Sequence, residues 1–413
     1  MDTTMLDQGF ATRAERWRAA CDEGLELARD YVSSHAFVHD DLWKHLPDDF
    51  DELSAHPTLY HAPVVVTSRQ LVAANSLKST NSTGAQQVIR TPGRSPLEVL
   101  AASTAKREEL ARLVVSNRLH LSAFYSDRSE LLTLQSAAEE LGWKPQIHPD
   151  PAQYSAYAHH AENLSILRGL VELFPQSRVC NSATEAFGAF VELGPEVFVK
   201  GIDSSASRAN TAARVEEIAT DEGFPIVIQK AIPATSSPTL QWISWKGAVR
   251  PLFIADQLLR NSHHVGNVYS QRREEQIAIK YWELLILCMN TLDGWQGVAG
   301  MDFLEDSQSR TLIPVDLNAR FNSSTFPILH GLESRNEGRR DIVYRRHVLE
   351  LPLEQVQYAL ENNSQSTHVN TKWFGGSVDG SDNVTFSLTV DRDEISVDQI
   401  NANLSAAMNV APD

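Results

Sequence analysis

The sequence predicts an α/β protein of two or three domains, and three observations support this prediction. The chain has 413 residues with a hydrophobic fraction of 42%, too long for one ordinary domain and apolar enough for a sizeable core. Between residues 61 and 150, short apolar runs alternate with helical patterns, which is typical of a parallel sheet with covering helices. Residues 294–327 then read as two strands joined by a polar turn.

The charge and the cysteines narrow the class of protein. A net charge of −17 argues against a general nucleic-acid or anionic-membrane surface, because those surfaces need basic patches. No apolar run reaches the ~18 residues needed to span a membrane. Three cysteines without metal-type spacing fit reduced thiols, and the polar N-terminus does not resemble a signal peptide. We therefore expect a cytoplasmic protein with small-molecule partners.

The predicted strand pair at residues 294–327 brings polar side chains together. The segments VAGMDFL and TLIPVDLNARF, once paired, put Asp302 close to Asp316 and Asn318, with Arg320 next on the same face. Two carboxylates and an amide oxygen suit Mg²⁺, with Mn²⁺ as an alternative, and the lack of Cys and His disfavours zinc. A solvated hairpin with ordinary surface acids is the competing interpretation. The apolar neighbours favour the metal site, because unpaired carboxylates are rare in such surroundings.

The order GxxGxDF, turn, and then acid-x-Asn-x-Arg resembles the metal-binding end of the ATP-grasp superfamily. Those enzymes join a carboxylic acid to an amine or thiol through an acyl-phosphate made from ATP. The resemblance implies that Asp302, Asp316 and Asn318 hold Mg²⁺ between the ATP phosphates. The second acid is commonly Glu in the family and is Asp316 here. Motif order over about residues 160–330 is similar to the pheganomycin-type peptide ligases of bacterial natural-product pathways.

The resemblance also implies a domain order. We expect a helical segment at 1–60, a small α/β domain at 61–155, an ATP-grasp domain at 156–350 and a C-terminal α/β extension at 351–413. The two lobes of the ATP-grasp domain would cover about 156–233 and 234–350. Within the second lobe, we predict a loop at 261–270 and one long helix at 273–292. A homodimer is suggested by the resemblance alone.

The first lobe would bind the nucleotide. Lys200 ends a predicted strand before a small-residue loop, where the resemblance implies contact with the ATP phosphates from Lys200, Ser204 and Ser205. The adenine hinge maps to Gln229, Lys230, Ala231 and Ile232, with Gln229 in place of the usual Glu. A second lysine, common early in this lobe, is missing, since the region has His159 and His160 instead. Either Arg168 or another cation replaces it, or the contact is absent.

The remaining site predictions concern catalysis and substrate. Arg320 and Lys200 are the predicted catalytic residues, with Arg320 facing the γ-phosphate or acyl-phosphate; a structural pairing of Arg320 with Asp316 is the alternative. Asp256 and Gln257 are expected to end a strand facing the same cleft and to bind a substrate amino group. His264 could be a base for the amine, although a hydrogen-bonded loop histidine is the more ordinary assignment. The other predicted substrate-binding residues are Asn267, Ser323 and Ser324, with turn capping as the alternative for the serines.

The function that follows is ATP-dependent amide formation on amino-acid substrates, in secondary metabolism. The same chemistry would close a lactam if one substrate carried both reacting groups. Other readings remain open: transfer to a thiol or a carrier protein, phosphoryl transfer to an alcohol, or a nucleotide-binding regulator without turnover. The missing early lysine motivates the regulator, and the intact set of Asp302, Asp316, Asn318 and Arg320 speaks against it.

Overall fold

The computed structural model contains three β-sheets. It describes residues 12–39, 62–67, 87–90, 99–100, 102–123, 132, 135–136, 138–140, 142–144, 146–158, 160–167, 170, 173–201, 206–260, 263–322, 324–325, 328–329, 332, 341–345, 369–373 and 386–390. No helix within these ranges has the length and apolar character required to cross a bilayer.

The first sheet is parallel and has five strands. Its members are β1 (His35–His39), β2 (Val64–Thr67), β3 (Gln87–Arg90), β4 (His120–Ala123) and β5 (Ile147–His148), in the order β3-β2-β1-β4-β5. Helix α1 (Arg13–Ser33) precedes the sheet and begins with a capping box between Thr12 and Glu15. Helix α2 (Thr104–Asn117) lies between β3 and β4 in the chain.

This sheet corrects the prediction that residues 1–60 are helical throughout. Helix α1 ends at Ser33, and His35–His39 is the central strand of the sheet. The physical reason is that Ala36, Phe37 and Val38 are all fully buried. A run that buries consecutive residues suits a strand covered on both faces, as parallel strands are, better than it suits one stripe of a helix.

The second sheet is antiparallel and forms the first lobe. Helices α3 (Pro151–Ala158) and α4 (His160–Ile166) lead into it. Its strands are β6 (Ser177–Cys180), β7 (Val197–Lys200), β8 (Ser207–Ala209) and β9 (Ile226–Lys230), in the order β6-β9-β7-β8. Helices α5 (Ala183–Leu193) and α6 (Ala212–Glu222) cover it, and this lobe has a separate hydrophobic core.

The third sheet, also antiparallel, forms the second lobe. Strand β14 (Gly297–Asp306) pairs with β11 and with two edge strands, β10 (Ala234–Ser236) and β15 (Leu312–Asn318). The order from β11 onward is β11 (Pro238–Trp245), β12 (Ala248–Arg260), β13 (His263–Tyr269), β16 (Asp341–Arg345), β18 (Phe386–Val390) and β17 (Val369–Trp373). Helices α7 (Gln271–Lys280) and α8 (Trp282–Met289) follow β13.

Three expectations for the second lobe change with this topology. The predicted loop at 261–270 contains strand β13, whose polar side chains pair with each other: His264 Nε2 is 2.7 Å from Asn267 Oδ1. The predicted long helix is interrupted at Tyr281, which leaves the helical backbone region with φ −119° and ψ 25°. Strands β17 and β18, from the predicted C-terminal extension, belong to the same sheet as the metal-site strands.

The two faces of the third sheet have different neighbours. One face packs on α7 and α8 through the buried side chains of Leu240, Trp242, Met301 and Phe303. The other face carries Ile243, Trp245 and Val298 at one end, where they pack with α1 and the first sheet. The polar residues considered below lie further along this second face.

Candidate active site

The hairpin β14–β15 brings the three predicted metal ligands together. In its register Asp302 is opposite Asp316, and Gly300 is opposite Asn318. Cross-strand partners lie on the same face, so the three polar side chains share one side of the sheet. Asn318 Nδ2 donates a hydrogen bond to Asp302 Oδ2 over 3.1 Å. A register shift follows immediately after Asp302, where the strand pairing becomes irregular.

Asp302 has the surroundings of a carboxylate that needs a cation. Burial raises the pKa of Asp302 to about 6, and the negative charge of Asp316 adds to the effect, while Arg320 lowers the pKa in part. Its Oδ1 atom is buried and accepts no hydrogen bond from the described residues. An unpaired buried carboxylate oxygen is costly, and a divalent cation would satisfy it.

Asp316 is instead held by two positively charged or protonatable side chains. Lys200 Nζ lies 3.3 Å from Asp316 Oδ1, and His160 Nδ1 lies 3.2 Å from the same oxygen. Burial alone would raise the pKa of Asp316, but the charges of Lys200 and His160 and their hydrogen bonds lower it well below the usual range. Asp316 is therefore ionised at neutral pH.

The donor set fits a hard cation that keeps other ligands. No group of three or more His, Cys, Asp and Glu side chains arranged to hold a metal occurs in the described part of the chain. Asp302, Asp316 and the amide oxygen of Asn318 would therefore supply only part of a shell. Mg²⁺ characteristically takes one or two carboxylates and completes its shell with phosphate oxygens and water.

Lys200 lies where the two lobes meet. It is the last residue of β7, only 5% exposed, and its Nζ donates to the carbonyl of Val315 on β15 over 2.6 Å. A narrow cleft opens beside it between the lobes. Its lining comprises His160, Asn163, Leu164, Leu167, Phe174, Lys200, Val227, Gln229, Val315, Asp316 and Leu317. Mixed apolar and polar walls of this kind suit a planar base with a charged tail.

His160 is a site residue that the sequence did not identify. It begins helix α4 and contacts Asp316 from the side of the cleft that also holds Lys200. The sequence showed two adjacent histidines where a lysine was expected, and that was the only signal. His159, Arg168 and the predicted phosphate-contacting residues Ser204 and Ser205 lie outside the described residues.

The predicted adenine hinge, residues 229–232, begins beside the same cleft at Gln229. Several of its hydrogen-bonding groups are already paired within the protein. The Gln229 side chain is buried and donates to Ser177 Oγ over 3.1 Å. The N–H of Lys230 donates to Gln176 O, and that of Ala231 donates to Glu196 O. Those two amides are therefore not available to a base, which leaves the N–H of Ile232 as the remaining candidate among residues 230–232.

Asp256 does not face the cleft, which corrects its predicted role. Its side chain forms an ion pair with Arg273 of α7 over 3.1 Å, and Arg273 also bonds Glu305 over 2.8 Å. This network lies on the helix-covered face. Consecutive strand residues point to opposite faces, so Gln257 is on the side of Asp302, and a Gln257 hydrogen bond lowers the pKa of Asp302 in part.

Gln257 continues into a polar row across the sheet. It is opposite Asn267 on β13, and its Oε1 accepts a 2.9 Å hydrogen bond from Ser237. Asn267 is fully buried and bonds His264 over 2.7 Å. The structure therefore places Gln257, Asn267 and His264 on neighbouring strands. The His264 ring is hydrogen-bonded, as expected if it has a structural role and is not a catalytic base.

The segment after β15 is fixed by Gln241. The Gln241 side chain donates to Asn322 Oδ1 over 2.5 Å and to Ser324 Oγ over 3.0 Å, and it accepts from Thr325 Oγ1 over 2.6 Å. Ser324 is 2% exposed and donates its own proton to Asn322. The Ser324 hydroxyl therefore stabilises the turn, in agreement with the turn-capping alternative. Ser323 lies outside the described residues.

Arg320 lies between this segment and the metal ligands. Its Nη1 donates to the carbonyl of Phe321 over 3.3 Å, and its charge lowers the pKa of Asp302 in part. The side chain is half-buried. A guanidinium beside the carboxylate pair can bind two oxygens of an incoming anion at once.

Comparison with known proteins identifies the fold. No family model matches the sequence, and no curated protein matches it. Among solved structures, N5-carboxyaminoimidazole synthase from Aspergillus clavatus, in complex with ADP and 5-aminoimidazole ribonucleotide, matches with a TM-score of 0.61 and 13% identity over 92% of this chain and 99% of that one. The ADP-bound N5-carboxyaminoimidazole synthetase from Staphylococcus aureus gives 0.59 and 12% over 91% and 97%. This chain has the ATP-grasp fold.

The L-amino acid ligase from Bacillus licheniformis also matches, with a TM-score of 0.55 and 14% identity over 91% of this chain and 96% of that one. The predicted fold class is therefore confirmed: an ATP-grasp fold preceded by a small α/β domain. The matched proteins are ligases of this fold, in line with the coarse prediction. At these identities the likeness shows the fold alone, so the finer resemblance to pheganomycin-type ligases stays a prediction.

Proposed function

We propose that this protein is an ATP-dependent ligase that activates a carboxylate as an acyl-phosphate and joins it to an amine. The observation that carries the proposal is the meeting of Asp302, Asp316 and Asn318 on one lobe with Lys200 on the other, beside a cleft. A carboxylate is a poor electrophile because its leaving group is oxide. Phosphorylation replaces that leaving group with phosphate.

The chain's own residues would position the reacting groups and neutralise their charge, which is the main task in phosphoryl transfer. Lys200 would steady the nucleotide phosphates, and the Ile232 N–H and a hinge carbonyl would bind the adenine edge. The Lys200 and Arg320 charges would face the transferred phosphoryl group from the two lobes. A divalent cation held by Asp302, Asp316 and Asn318 would supply charge neutralisation between the phosphates.

In the first step an oxygen of the substrate carboxylate bonds to the γ-phosphorus as the bond to ADP breaks. In the second step the amine nitrogen bonds to the carbonyl carbon, phosphate leaves and the nitrogen gives up a proton. Gln257 and Asn267, which share the face of Asp302, are the residues we assign to substrate binding. We propose amino acids as substrates, in line with the L-amino acid ligase among the matched structures.

The test is phosphate release from ATP and Mg²⁺ with amino acids supplied singly and in pairs, read together with mass spectrometry of the products. A product lighter than its precursors by one water, with ADP and phosphate, is expected from the native chain and not from Asp316→Ala. One consumed substrate would indicate lactam closure, and two would indicate ligation. Nucleotide binding without turnover across a broad panel would favour the regulator, and a phosphorylated product without free phosphate would identify a phosphotransferase.

Three finer parts of the proposal rest on the sequence. We infer a cytoplasmic location, and the three cysteines, which are buried and form no disulfide among the described residues, are compatible with a reducing compartment. We infer a role in secondary metabolism from the motif order that resembles peptide ligases of natural-product pathways. A homodimer is expected from the same resemblance, and light scattering of the purified chain would test it.

A further inference from the structure

A single oxygen of Asp316 receives both Lys200 and His160. The Nζ of Lys200 is 3.3 Å and the Nδ1 of His160 is 3.2 Å from Asp316 Oδ1. Asp316 is also one of the two carboxylates that would bind a divalent cation. One oxygen of the residue that the cation would need is thus already engaged by side chains of the protein itself.

The three residues come from separate parts of the fold. Lys200 ends β7 in the first lobe, His160 begins α4, and Asp316 lies on β15 in the second lobe. The contact therefore bridges opposite walls of the cleft, and all three side chains line it. A phosphate group bound in the cleft would therefore lie near all three side chains.

In this arrangement a divalent cation would compete with Lys200 and His160 for Asp316. The two donors occupy one oxygen of Asp316, and the positive charge of Lys200 beside it opposes a cation there. A nucleotide triphosphate changes this balance, because its oxygens offer Lys200 and His160 alternative and more highly charged partners. Once the two side chains turn to the phosphates, Asp316 is released next to Asp302, whose Oδ1 has no described partner.

We propose that His160 is a phosphate-positioning residue which, with Lys200, closes the metal site in the nucleotide-free protein and opens it when ATP binds. The divalent cation therefore binds tightly only together with nucleotide. His160 takes the place of a second cationic contact in the nucleotide cleft. This inference rests on the proposed function, because it takes the cleft to be the ATP site.

The experiment has two arms on the full chain. In the first, Mn²⁺ is titrated without nucleotide, and free Mn²⁺ is followed by electron paramagnetic resonance. In the second, a non-hydrolysable ATP analogue is titrated calorimetrically, once with Mn²⁺ and once with EDTA. His160→Ala is compared with the native chain, with His160→Asn, which keeps a donor near the position of Nδ1, and with Arg13→Gln, which breaks the exposed Arg13–Glu283 ion pair.

We expect His160→Ala to bind Mn²⁺ alone about tenfold more tightly than the native chain, because one competitor for Asp316 is gone. The same variant should bind the analogue about tenfold more weakly, in EDTA as well as in Mn²⁺. His160→Asn should lie between, and Arg13→Gln should match the native chain. A merely structural role would weaken both ligands together. Thermal unfolding of each variant checks that it is folded.

Two results would overturn the inference. One is that His160→Ala binds Mn²⁺ alone with the same affinity as the native chain, since His160 would then not compete with the cation. The other is unchanged analogue affinity of that variant in EDTA, since His160 would then not contact the phosphates. Failure of the native chain to bind the analogue would instead refute the proposed function, and the Mn²⁺ arm would still decide whether His160 closes the metal site.

Discussion

The two facing carboxylates, Asp302 and Asp316, are in unequal electrostatic surroundings. Asp316 is neutralised by Lys200 and His160, whereas Asp302 keeps a buried, unbonded oxygen and a pKa raised to about 6. At neutral pH the charge on Asp302 is therefore destabilising by about 3 kcal/mol relative to the unfolded chain. Such a cost is expected where a site is built for a ligand rather than for stability.

This imbalance predicts opposite effects of Asp302→Asn on stability and on turnover. The substitution keeps the shape and removes the buried charge and its repulsion with Asp316, so thermal unfolding in EDTA at pH 7.5 should show stability raised by up to about 3 kcal/mol. ATP-dependent phosphate release should fall by about 100-fold or more, because a ligand charge is lost.

Asp316→Asn is the matched control for that experiment. It removes a carboxylate that is already compensated and leaves Lys200 without its ion pair, so its stability in EDTA should fall while turnover is also lost. Equal stability changes in the two variants would show that the environments of Asp302 and Asp316 do not differ as described.

At the same scale, local sequence pattern located some site residues and missed others. The spacing Asp316-x-Asn318 and the turn before it were sufficient to predict that both residues lie close to Asp302. The structure places Asp316 opposite Asp302 and Asn318 opposite Gly300. Strand alternation also meant that Asp256 and Gln257 could not share a face, and only tertiary packing shows that Gln257 is the one on the side of Asp302. His160 carries no motif, and its role comes from a contact with Asp316, 156 residues further along the chain, that no local pattern encodes.

Among the elements, the segment after β15 depends on one buried side chain. Gln241 from β11 holds Asn322, Ser324 and Thr325 through three hydrogen bonds. We predict that Gln241→Leu lowers stability by about 2 to 3 kcal/mol, because it leaves buried polar groups without partners. Arg320 should lose its fixed position with the segment, so the KM for the carboxylate substrate should rise.

Thermal unfolding and steady-state kinetics would measure these two effects of Gln241→Leu. Gln241→Glu is the control, because it keeps the acceptor for Thr325 and loses the donor to Asn322. Its stability should lie between those of the native chain and Gln241→Leu. A leucine variant as stable as the native chain would show that the hydrogen bonds of Gln241 do not hold the segment.

Helix α1 approaches β12 more closely than a side chain allows. A Cβ at Gly24 would lie 2.0 Å from the carbonyl oxygen of Pro251. We predict that Gly24→Ala pushes the helix off the strand and lowers stability by about 1 to 3 kcal/mol in chemical denaturation. Gly188→Ala, on helix α5 with no atom within 4 Å of the new Cβ, should instead stabilise the protein slightly. A neutral Gly24→Ala would contradict the close packing.

The sequence predicted helices and strands correctly where an element buries one face. The predictions were wrong where contacts with neighbouring strands determine the structure. Strand β13 contains His264, Gly266 and Asn267, and its sequence reads as a loop. It is a strand because its backbone pairs with β12 and β16, and His264 forms a hydrogen bond with Asn267. Strand β1 was missed because it directly follows the helical pattern of α1. Tertiary pairing overrides local preference in both cases.

At the scale of the whole molecule, a histidine cluster joins the first sheet to the second lobe. His35, His120 and His148 have ring centroids 5.2 to 5.5 Å apart, and Trp245 covers all three. Burial lowers the pKa of His35 to about 3 and of His148 to about 4, and it also lowers that of His120. The nearby charge of Lys246 adds to the effect on His35 and His120.

The cluster predicts loss of stability in mild acid. Above pH 6.5 the rings are neutral in both states, and as the pH falls only the unfolded chain takes up the protons until the folded pKa values of about 3 to 4 are reached. His35 alone should remove about 2 kcal/mol between pH 7.5 and pH 5. Thermal unfolding across this range should show a shallower slope for His35→Asn, and parallel curves would contradict the assignment.

The third sheet continues from the metal-site strands to β16, β18 and β17 without interruption. A shortened chain that stops before residue 369 would leave β16 with an open row of backbone N–H and C=O groups. Open strand edges recruit other chains. We therefore expect such a truncation to be lost to aggregation during purification even though it keeps every residue that lines the cleft beside Lys200. Insolubility of a shortened version would therefore say nothing about the chemistry of the proposed site.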